Sequence, residues 1–252
     1  MNALDTPPEC SGRVDRCLEC PIRDRAVCTY CDESELSALE ALKSYRRFAP
    51  GQEIVAADEE MSFLGSVVDG VVSLSKTMAD GRRQMVGLMF PSDFVGRPLR
   101  PVAPYDATAV TGVTLCLFTR HRFERLLRET PALEKRLLEM ALDELDAARD
   151  WMLLLGRKTA REKIATFMVI LARRTASSRK MRPGDGLRFQ LPLTREAIAD
   201  YLGLTIETVS RQITVLRKDG LLVFEDARHC VVPDYVALLD AAGEDSDGGV
   251  IA

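Results

Sequence analysis

Residues 191–222, LPLTREAIADYLGLTIETVSRQITVLRKDGLL, form the most specific pattern in the chain. The hydroxyls of Thr194 and Thr205 can each cap a helix, and Gly203 allows a tight turn between the two helices. Helical periodicity divides the second helix into an apolar face, Ile206, Val209, Ile213 and Leu216, and a polar face, Glu207, Ser210, Arg211 and Thr214. The stretch therefore predicts a helix-turn-helix whose second helix has one buried and one exposed face.

The polar face of the second helix is suited to reading base edges in the major groove of DNA. Arginine can donate two hydrogen bonds to guanine, and glutamate can accept one from the amino group of cytosine. We therefore expect Arg211 and Glu207 to read a G·C pair, with Ser210 acting at a neighbouring base pair. A solvated helix face in a protein-binding winged helix is the alternative interpretation.

The residues around this pattern extend it to a winged domain. GLLVFEDARHCVVPD, residues 220–234, predicts a two-stranded wing with Cys230 in a strand, and gives His229 no evident role. Residues 157–234 hold 15 Lys and Arg against 9 Asp and Glu, although the whole chain has a net charge of −4. Such a basic block favours contact with nucleic acid. We assign 157–236 to the winged helix-turn-helix and 237–252 to a flexible acidic tail.

Upstream of this domain, residues 121–156 predict a short helix and then a long one from about Ala132 to Leu155. Apolar residues follow a heptad spacing along the long helix, at Leu138, Ala141, Leu145, Ala148, Met152 and Leu155. This stripe can pack on its own domain, or its alanines can let two copies of the helix approach closely. The residues alone leave these two possibilities equally open.

Residues 48–119 consist of short β-branched runs separated by turn signals. Asp-Gly pairs at 69–70 and 80–81 lie between apolar runs and are typical of tight hairpins. In the last run, VTLCLFT, alternation predicts one face with Val113, Leu115 and Leu117 and another with Thr114, Cys116 and Phe118. We expect 33–120, which begins with a short amphipathic helix, to form a β jelly-roll (cupin-like) sensor domain. The expected fold class is α+β, with this domain, a long dimerisation helix and a winged helix-turn-helix.

The composition excludes several classes of protein. With 46% hydrophobic and 29% charged residues in 252, the chain is not expected to be largely disordered. No apolar run is long enough to cross a bilayer, and the N-terminus does not have the pattern of a signal peptide. We therefore expect a cytoplasmic protein with no membrane partner.

Four of the seven cysteines lie in CLECPIRDRAVCTYC, residues 17–31, within a cysteine-rich segment at 1–32. Thiols stay reduced in the cytoplasm, so clustered cysteines there point to metal ligands or redox centres rather than to cross-links. The spacing is CxxC, seven residues, CxxC. It leaves a zinc site and an iron–sulfur site equally open.

The order of a β-rich domain, a long heptad helix and a helix-turn-helix resembles the Crp/Fnr family of bacterial transcription regulators, from Cys17 to about Tyr235. ETVSR, residues 207–211, is similar to the Glu-x-x-Ser-Arg pattern of the Fnr branch, whose members bind palindromes of the type TTGAT-N4-ATCAA. The cysteine cluster resembles that of alphaproteobacterial Fnr-like oxygen sensors. Nucleotide-binding members use a Gly-Glu motif and an Arg-Ser or Arg-Thr pair. The stretch 91–109, PSDFVGRPLRPVAPYDATA, lacks both, so cyclic AMP is disfavoured as a ligand.

This resemblance implies an oxygen-responsive transcription regulator of anaerobic or microaerobic genes, and not an enzyme. It implies a homodimer paired through the long helix, with double-stranded DNA and RNA polymerase as partners. It also implies a 4Fe-4S cluster held by Cys17, Cys20, Cys28 and Cys116, with Cys31 as a possible substitute for Cys28 and with Cys10 and Cys230 outside the site. Two alternatives remain, a zinc-stabilised regulator that senses another signal and an iron–sulfur redox protein.

Overall fold

The computed structural model describes residues 16–243 and confirms the expected α+β class. An N-terminal segment rich in cysteine leads into a sandwich of two β-sheets, a long helix follows, and a winged helix-turn-helix ends the described chain. Within 16–243, no helix combines the length and the apolar character that a membrane span requires.

The N-terminal segment contains a single 3-10 turn at Cys17–Glu19 and then helix α1, Glu33–Leu42. Asp32 and Glu35 form a capping box that fixes where α1 begins: each side chain accepts a hydrogen bond from the backbone N–H of the other residue. Leu36 and Leu39 are the buried residues of α1. The helix thus covers one side of the segment, as its apolar spacing predicts.

The sandwich contains eight strands in two antiparallel sheets. Their bounds are β1 Lys43–Phe48, β2 Glu53–Val55, β3 Phe63–Asp69, β4 Val72–Thr77, β5 Arg83–Met89, β6 Phe94–Val95, β7 Asp106–Ala109 and β8 Val113–Thr119. The order is β1-β8-β3-β6 in one sheet and β2-β7-β4-β5 in the other. Apolar side chains from both sheets fill the space between them. This is the predicted jelly roll.

The two Asp-Gly pairs behave differently. The pair at 80–81 closes the β4–β5 hairpin, as expected. The hairpin predicted at 69–70 is wrong, because β3 and β4 lie in different sheets and the chain crosses between them there. Gly70 has φ +87°, and a Cβ at this position would lie 2.2 Å from the carbonyl oxygen of Gly112. Glycine is needed at this corner because two backbones meet, rather than because a two-residue turn forms.

Strand β8 has the two-faced character that its alternation predicts. Leu115 and Leu117 point into the sandwich, whereas Cys116 and Phe118 point outward into a second cluster that includes residues of α1 and of the cysteine segment. Helix α2, Arg120–Glu129, follows directly and places Phe123 in this second cluster. The sheet therefore has an apolar outer face that the N-terminal segment covers.

Helix α3 runs from Pro131 to Arg157 and connects the sandwich to the C-terminal domain. That domain contains α4 Ala160–Ser178, β9 Leu187–Gln190, α5 Arg195–Leu202, α6 Ile206–Lys218, β10 Val223–Phe224, β11 His229–Val232 and α7 Tyr235–Ala242. Thr194 and Thr205 cap α5 and α6, and Gly203 between them adopts φ +63°, as the sequence predicts. The two predicted caps and the predicted glycine turn are therefore confirmed.

The predicted two-stranded wing is confirmed, because β10 and β11 pair within residues 220–234. Strand β9, which lies outside this stretch, pairs with β11 and extends the wing to a sheet of three strands. Two other expectations for the C-terminal domain are wrong. The segment 237–242 lies in α7, with Leu238 and Ala242 fully buried, because its apolar residues pack on α4; residues 244–252 of the expected tail lie outside the described part of the chain. Ile206 is 44% exposed because it is the first residue of α6, where the helix has not yet reached the core.

The sandwich and the C-terminal domain also touch directly. Met85 and Phe90 of the sandwich belong to the apolar core of the C-terminal domain. The amide of Gln84 donates to the carbonyl oxygen of Asp200 at 2.6 Å, and Arg174 of α4 pairs with Asp93 at 3.0 Å. The two domains therefore share a packed boundary in this chain.

Candidate functional site

The cysteine segment is a series of tight turns without a regular helix. Backbone bonds run from Cys20 N to Cys17 O at 3.3 Å and from Cys31 N to Cys28 O at 3.1 Å. The Arg23 guanidinium donates to the carbonyl oxygens of Thr29 and Cys31 at 2.6 and 2.8 Å, which holds the two ends of the segment together. The CxxC spacing thus places each pair of cysteines on one turn.

A small cavity separates this segment from the outer face of the first sheet. Four cysteines line it, namely Cys17, Cys20, Cys28 and Cys116. The rest of its wall includes apolar side chains such as Val27, Leu39 and Phe118. The sequence-predicted ligands from two distant parts of the chain are therefore brought to one place.

The remaining cysteines lie elsewhere. Cys31 is buried in the same apolar cluster as Cys17 and Cys116 but is not part of the cavity wall. Cys230 is buried in β11 of the C-terminal domain, and Cys10 lies outside the described residues. Within 16–243, no three Cys, His, Asp or Glu side chains are close enough to one another to hold a single metal ion.

Burial dominates the chemistry of these thiols. It raises the pKa of Cys28 to about 11 and the pKa of Cys116 to about 12, and it raises the pKa of Cys17 and Cys20 as well. Protonated thiols must lose their protons to become metal ligands, so binding of a metal here releases protons. Four sulfur donors around a mostly apolar cavity fit an iron–sulfur group, which is held by thiolates and shielded from water.

Polar groups that sequence reasoning missed surround the same cavity. The ammonium of Lys43 lies 3.6 Å from Cys17 Sγ, and the carboxylate of Glu40 accepts from the Cys17 backbone N–H at 2.7 Å. Tyr45 faces Cys116 across the β1–β8 pair and hydrogen-bonds to it, and burial raises the pKa of the Tyr45 hydroxyl. The pairing of β1 with β8 brings Lys43 and Tyr45 to the cavity. The sequence alone does not show this pairing, because it does not give the order of the strands in the sheet.

The cysteine segment contacts both α3 and α4. The Arg136 guanidinium of α3 donates to the carbonyl oxygen of Arg25 at 2.9 Å. The Arg25 side chain hydrogen-bonds to Ser177 near the end of α4, and Asp24 pairs with Lys180 at 2.5 Å. A change in the turns between Cys20 and Cys28 would therefore alter contacts with α3 and with α4 of the C-terminal domain.

Helix α3 has an unpartnered apolar stripe. All of its residues are described, and between Leu133 and Leu154 none is buried. The exposed members of the predicted heptad are Leu138, Ala141, Leu145, Ala148 and Met152. Leu142 is also 53% exposed on this stripe and was missed by strict heptad counting, whereas Leu155 packs against the C-terminal core. Exposed apolar stripes of this length mark interaction surfaces.

Helix α6 presents the predicted polar face. Val209, Ile213 and Leu216 are buried. The polar residues Glu207, Ser210, Arg211 and Thr214 are all exposed. Hydrogen bonds from its own backbone N–H and from the Thr205 hydroxyl lower the pKa of Glu207, which keeps that carboxylate ionised as an acceptor.

The wing lies beside this helix and is braced by side chains. The guanidinium groups of Arg195 and Arg217 lie 5.3 and 5.8 Å from the centre of the Phe224 ring. His229 Nδ1 lies 2.6 Å from Asp226 Oδ2 at the turn of the wing, which gives this histidine a structural role. Helix α6 and the wing are thus held as one surface.

Curated relatives match almost the whole chain. It is 56% identical over 238 residues to the transcriptional activator protein FnrL of Cereibacter sphaeroides, which covers 94% of this chain and 96% of the relative. It is 38% identical over 226 residues to the nitrogen fixation regulation protein FixK of Bradyrhizobium diazoefficiens, which covers 90% and 91%.

Family profiles and a solved structure agree with these relatives. A Crp-like helix-turn-helix domain profile matches residues 162–241, and a cyclic nucleotide-binding domain profile matches 45–130. The structure of FixK2 from Bradyrhizobium japonicum superposes with a TM-score of 0.71 at 32% identity, covering 81% of this chain and 98% of that one. The fold and its exposed reading helix define a DNA-binding regulator of transcription with an N-terminal β jelly-roll domain. On the identities to FnrL and FixK, the chain belongs to the Crp/Fnr family of transcription regulators.

Proposed function

We propose that this regulator is an oxygen-responsive activator of anaerobic or microaerobic genes that works with an intact 4Fe-4S cluster. The cavity lined by four cysteines is the observation that carries the proposal. Cys17, Cys20, Cys28 and Cys116 would hold the cluster, and the bound cluster would supply reactivity towards oxygen. The relative named FnrL is a transcriptional activator, which supports activation as the main output.

The choice of Cys28 over Cys31 rests on the cavity wall. Cys28 lines the cavity with the other three thiols, whereas Cys31 is buried in the neighbouring apolar cluster and does not line the cavity. Cys31 therefore remains the substitute ligand to test.

Contacts of the cysteine segment with α3 and α4 supply a route by which the state of the cluster would reach the DNA-binding domain. The segment that carries Cys20 and Cys28 is bonded to Arg136 on α3 and to Ser177 on α4. A bound cluster ties this segment to Cys116 in the sheet, so binding favours one placement of both helices. To move a dimer equilibrium from 1:99 to 99:1 needs about 5.5 kcal/mol of difference between the two states, and a smaller shift needs less.

The homodimer would form through the apolar stripe of α3. Pairing removes the exposed side chains of Leu138, Leu145 and Met152 from water, which stabilises the dimer. Two copies of α6 can then enter successive major grooves, which suits a palindrome of the type TTGAT-N4-ATCAA. Arg211 and Glu207 would read the G·C pair of each half-site.

Anaerobic purification tests the proposal directly. The expected protein is brown, contains iron and acid-labile sulfide in equal amounts, sediments as a dimer and binds the palindrome. Exposure to air should remove the visible spectrum, the dimer and DNA binding in step. A colourless protein that contains zinc would point to the zinc-stabilised regulator, and a cluster-containing protein without sequence-specific DNA binding would point to a redox protein. A dimer that persists in air but releases DNA would replace dissociation with reorientation of the reading helices.

A further inference from the structure

Ser66 lies among the cysteines of the cavity, and its hydroxyl forms no hydrogen bond with the described residues. Its side chain is 2% exposed and lines the same cavity. Its Oγ is one of the buried polar atoms that find no hydrogen-bond partner among the described residues. In the antiparallel register of β3 and β8, Ser66 faces Cys116, so the two side chains share one face of the sheet.

A buried hydroxyl without a partner lowers the stability of the protein that carries it. Leu64, two residues earlier on the same face of β3, is fully buried in the apolar cluster, so this face accommodates apolar side chains. The hydroxyl proton of serine can rotate freely to meet an acceptor. An acceptor bound in the cavity would account for a serine at this position.

The other polar groups at the cavity already have partners. Tyr45 bonds to Cys116, and Lys43 lies beside Cys17. Of these three residues, Ser66 is the one whose donor reaches no protein atom within hydrogen-bonding distance. An acceptor for it would have to lie inside the cavity.

We infer that the Ser66 hydroxyl donates a hydrogen bond to a sulfur atom of the bound cluster and raises the reduction potential of that cluster. The inference rests on the proposed function. Reduction adds one electron and makes the cluster more negative, so a donor to its sulfur stabilises the reduced form more than the oxidised form. Ser66 thereby helps to set how readily the cluster gives up an electron to an oxidant such as dioxygen.

The test compares Ser66→Ala with Ser92→Ala. Ser92 is the matched control, because it is also buried, at 6% exposure, with no partner for its Oγ, but it lies outside the cavity wall. Both variants should raise the unfolding midpoint of the cluster-free protein, since each removes a buried unpaired hydroxyl. Both should assemble the wild-type amounts of iron and sulfide after anaerobic reconstitution with ferrous iron and sulfide.

Only Ser66→Ala should change the cluster. One hydrogen bond corresponds to about a fivefold shift in the redox equilibrium, which is a reduction potential lower by about 40 mV at 59 mV per tenfold. The shift of the iron–sulfur stretching bands between H2O and D2O should also shrink in Ser66→Ala and stay in Ser92→Ala.

Several outcomes would overturn the inference. An unchanged potential with an unchanged D2O shift would show that Ser66 does not bond to the cluster, while the proposed function stands. A cluster-free Ser66→Ala protein that is less stable than wild type would show that the hydroxyl has a partner in the protein. A Ser66→Ala protein that binds no iron would show that Ser66 is essential for cluster assembly. Loss of one hydrogen bond to the cluster would not explain that result. A wild-type protein without iron and sulfide would remove both the inference and the proposed function.

Discussion

The C-terminal domain and the cysteine segment are held together by different forces. The C-terminal domain has a continuous apolar core in which Leu202, Leu216 and Leu238 are fully buried. The segment from 16 to 31 has few buried apolar residues, chiefly Ile22, Ala26 and Val27, and otherwise relies on turns and arginine contacts. The comparison teaches that the C-terminal domain draws its stability from an apolar core, whereas the segment has room for stabilisation by what its thiols bind.

The largest expected effect is the loss of the cluster. Cys116→Ser and Cys28→Ser should each leave the anaerobic protein without iron, sulfide or visible spectrum, because a hard hydroxyl replaces a soft thiolate. Cys31→Ser and Cys230→Ser are matched controls, since both remove a buried thiol outside the cavity. A Cys31→Ser protein without a cluster, beside a Cys28→Ser protein that keeps it, would reverse the ligand assignment.

Next in size is loss of the dimer with both regions intact. Leu145→Glu places a charge at the centre of the exposed α3 stripe, so two carboxylates would face each other in a paired helix. The variant should sediment as a monomer and fail to bind the palindrome, but its iron content should equal that of wild type. Asp143→Lys changes charge on the opposite side of α3 and should remain dimeric. A dimeric Leu145→Glu protein would place the interface elsewhere.

A core substitution should affect the reading domain alone. Leu238 of α7 is fully buried, and Leu238→Ala should lower the free energy of unfolding by about 2–5 kcal/mol. Val236→Ala on the same helix, where the side chain is 59% exposed, should change it little. Chemical denaturation followed by circular dichroism gives both values. If Leu238→Ala also reduced cluster content, the contacts of the cysteine segment with α4 would carry the effect.

The smallest effect is confined to one DNA contact. Arg211→Ala should weaken binding to the palindrome by about 1–3 kcal/mol and relax the preference at the G·C pair of each half-site. Lys218→Ala, at the exposed end of the same helix, is the control and should weaken all sequences alike or not at all. Competition between palindromic and scrambled DNA distinguishes the two. Equal losses on both DNAs for Arg211→Ala would show that Arg211 contacts phosphate rather than bases.

A contrast between local and long-range interactions explains which features the sequence could predict. Helix caps and tight turns are determined by residues close together in the sequence. The roles of Thr194 and Thr205 as caps and of Gly203 in the turn could therefore be predicted. The alternation of β8 likewise placed Cys116 on the face opposite to Leu115 and Leu117 without knowledge of the partner strands. Local chemistry was sufficient in both places.

Predictions were weaker where distant residues decide the outcome. Asp-Gly at 69–70 has hairpin chemistry, but the need to cover both faces of the core sends β4 to the other sheet. The apolar residues of 237–242 become helical because α4 offers a surface for them. Tyr45 and Ser66 join the cavity through strand pairings with Cys116, which no local pattern contains.

The distance along the chain between the cavity cysteines sets an order of events during biosynthesis. Cys116 is translated 88 residues after Cys28. At a translation rate of roughly 5–20 residues per second, Cys116 is synthesised about 4–18 s after Cys28. Strand β8 pairs with β1 and β3, so Cys116 takes its position only when those two strands are also in place. Any group that requires all four thiols can therefore enter only after β8 has paired with β1 and β3.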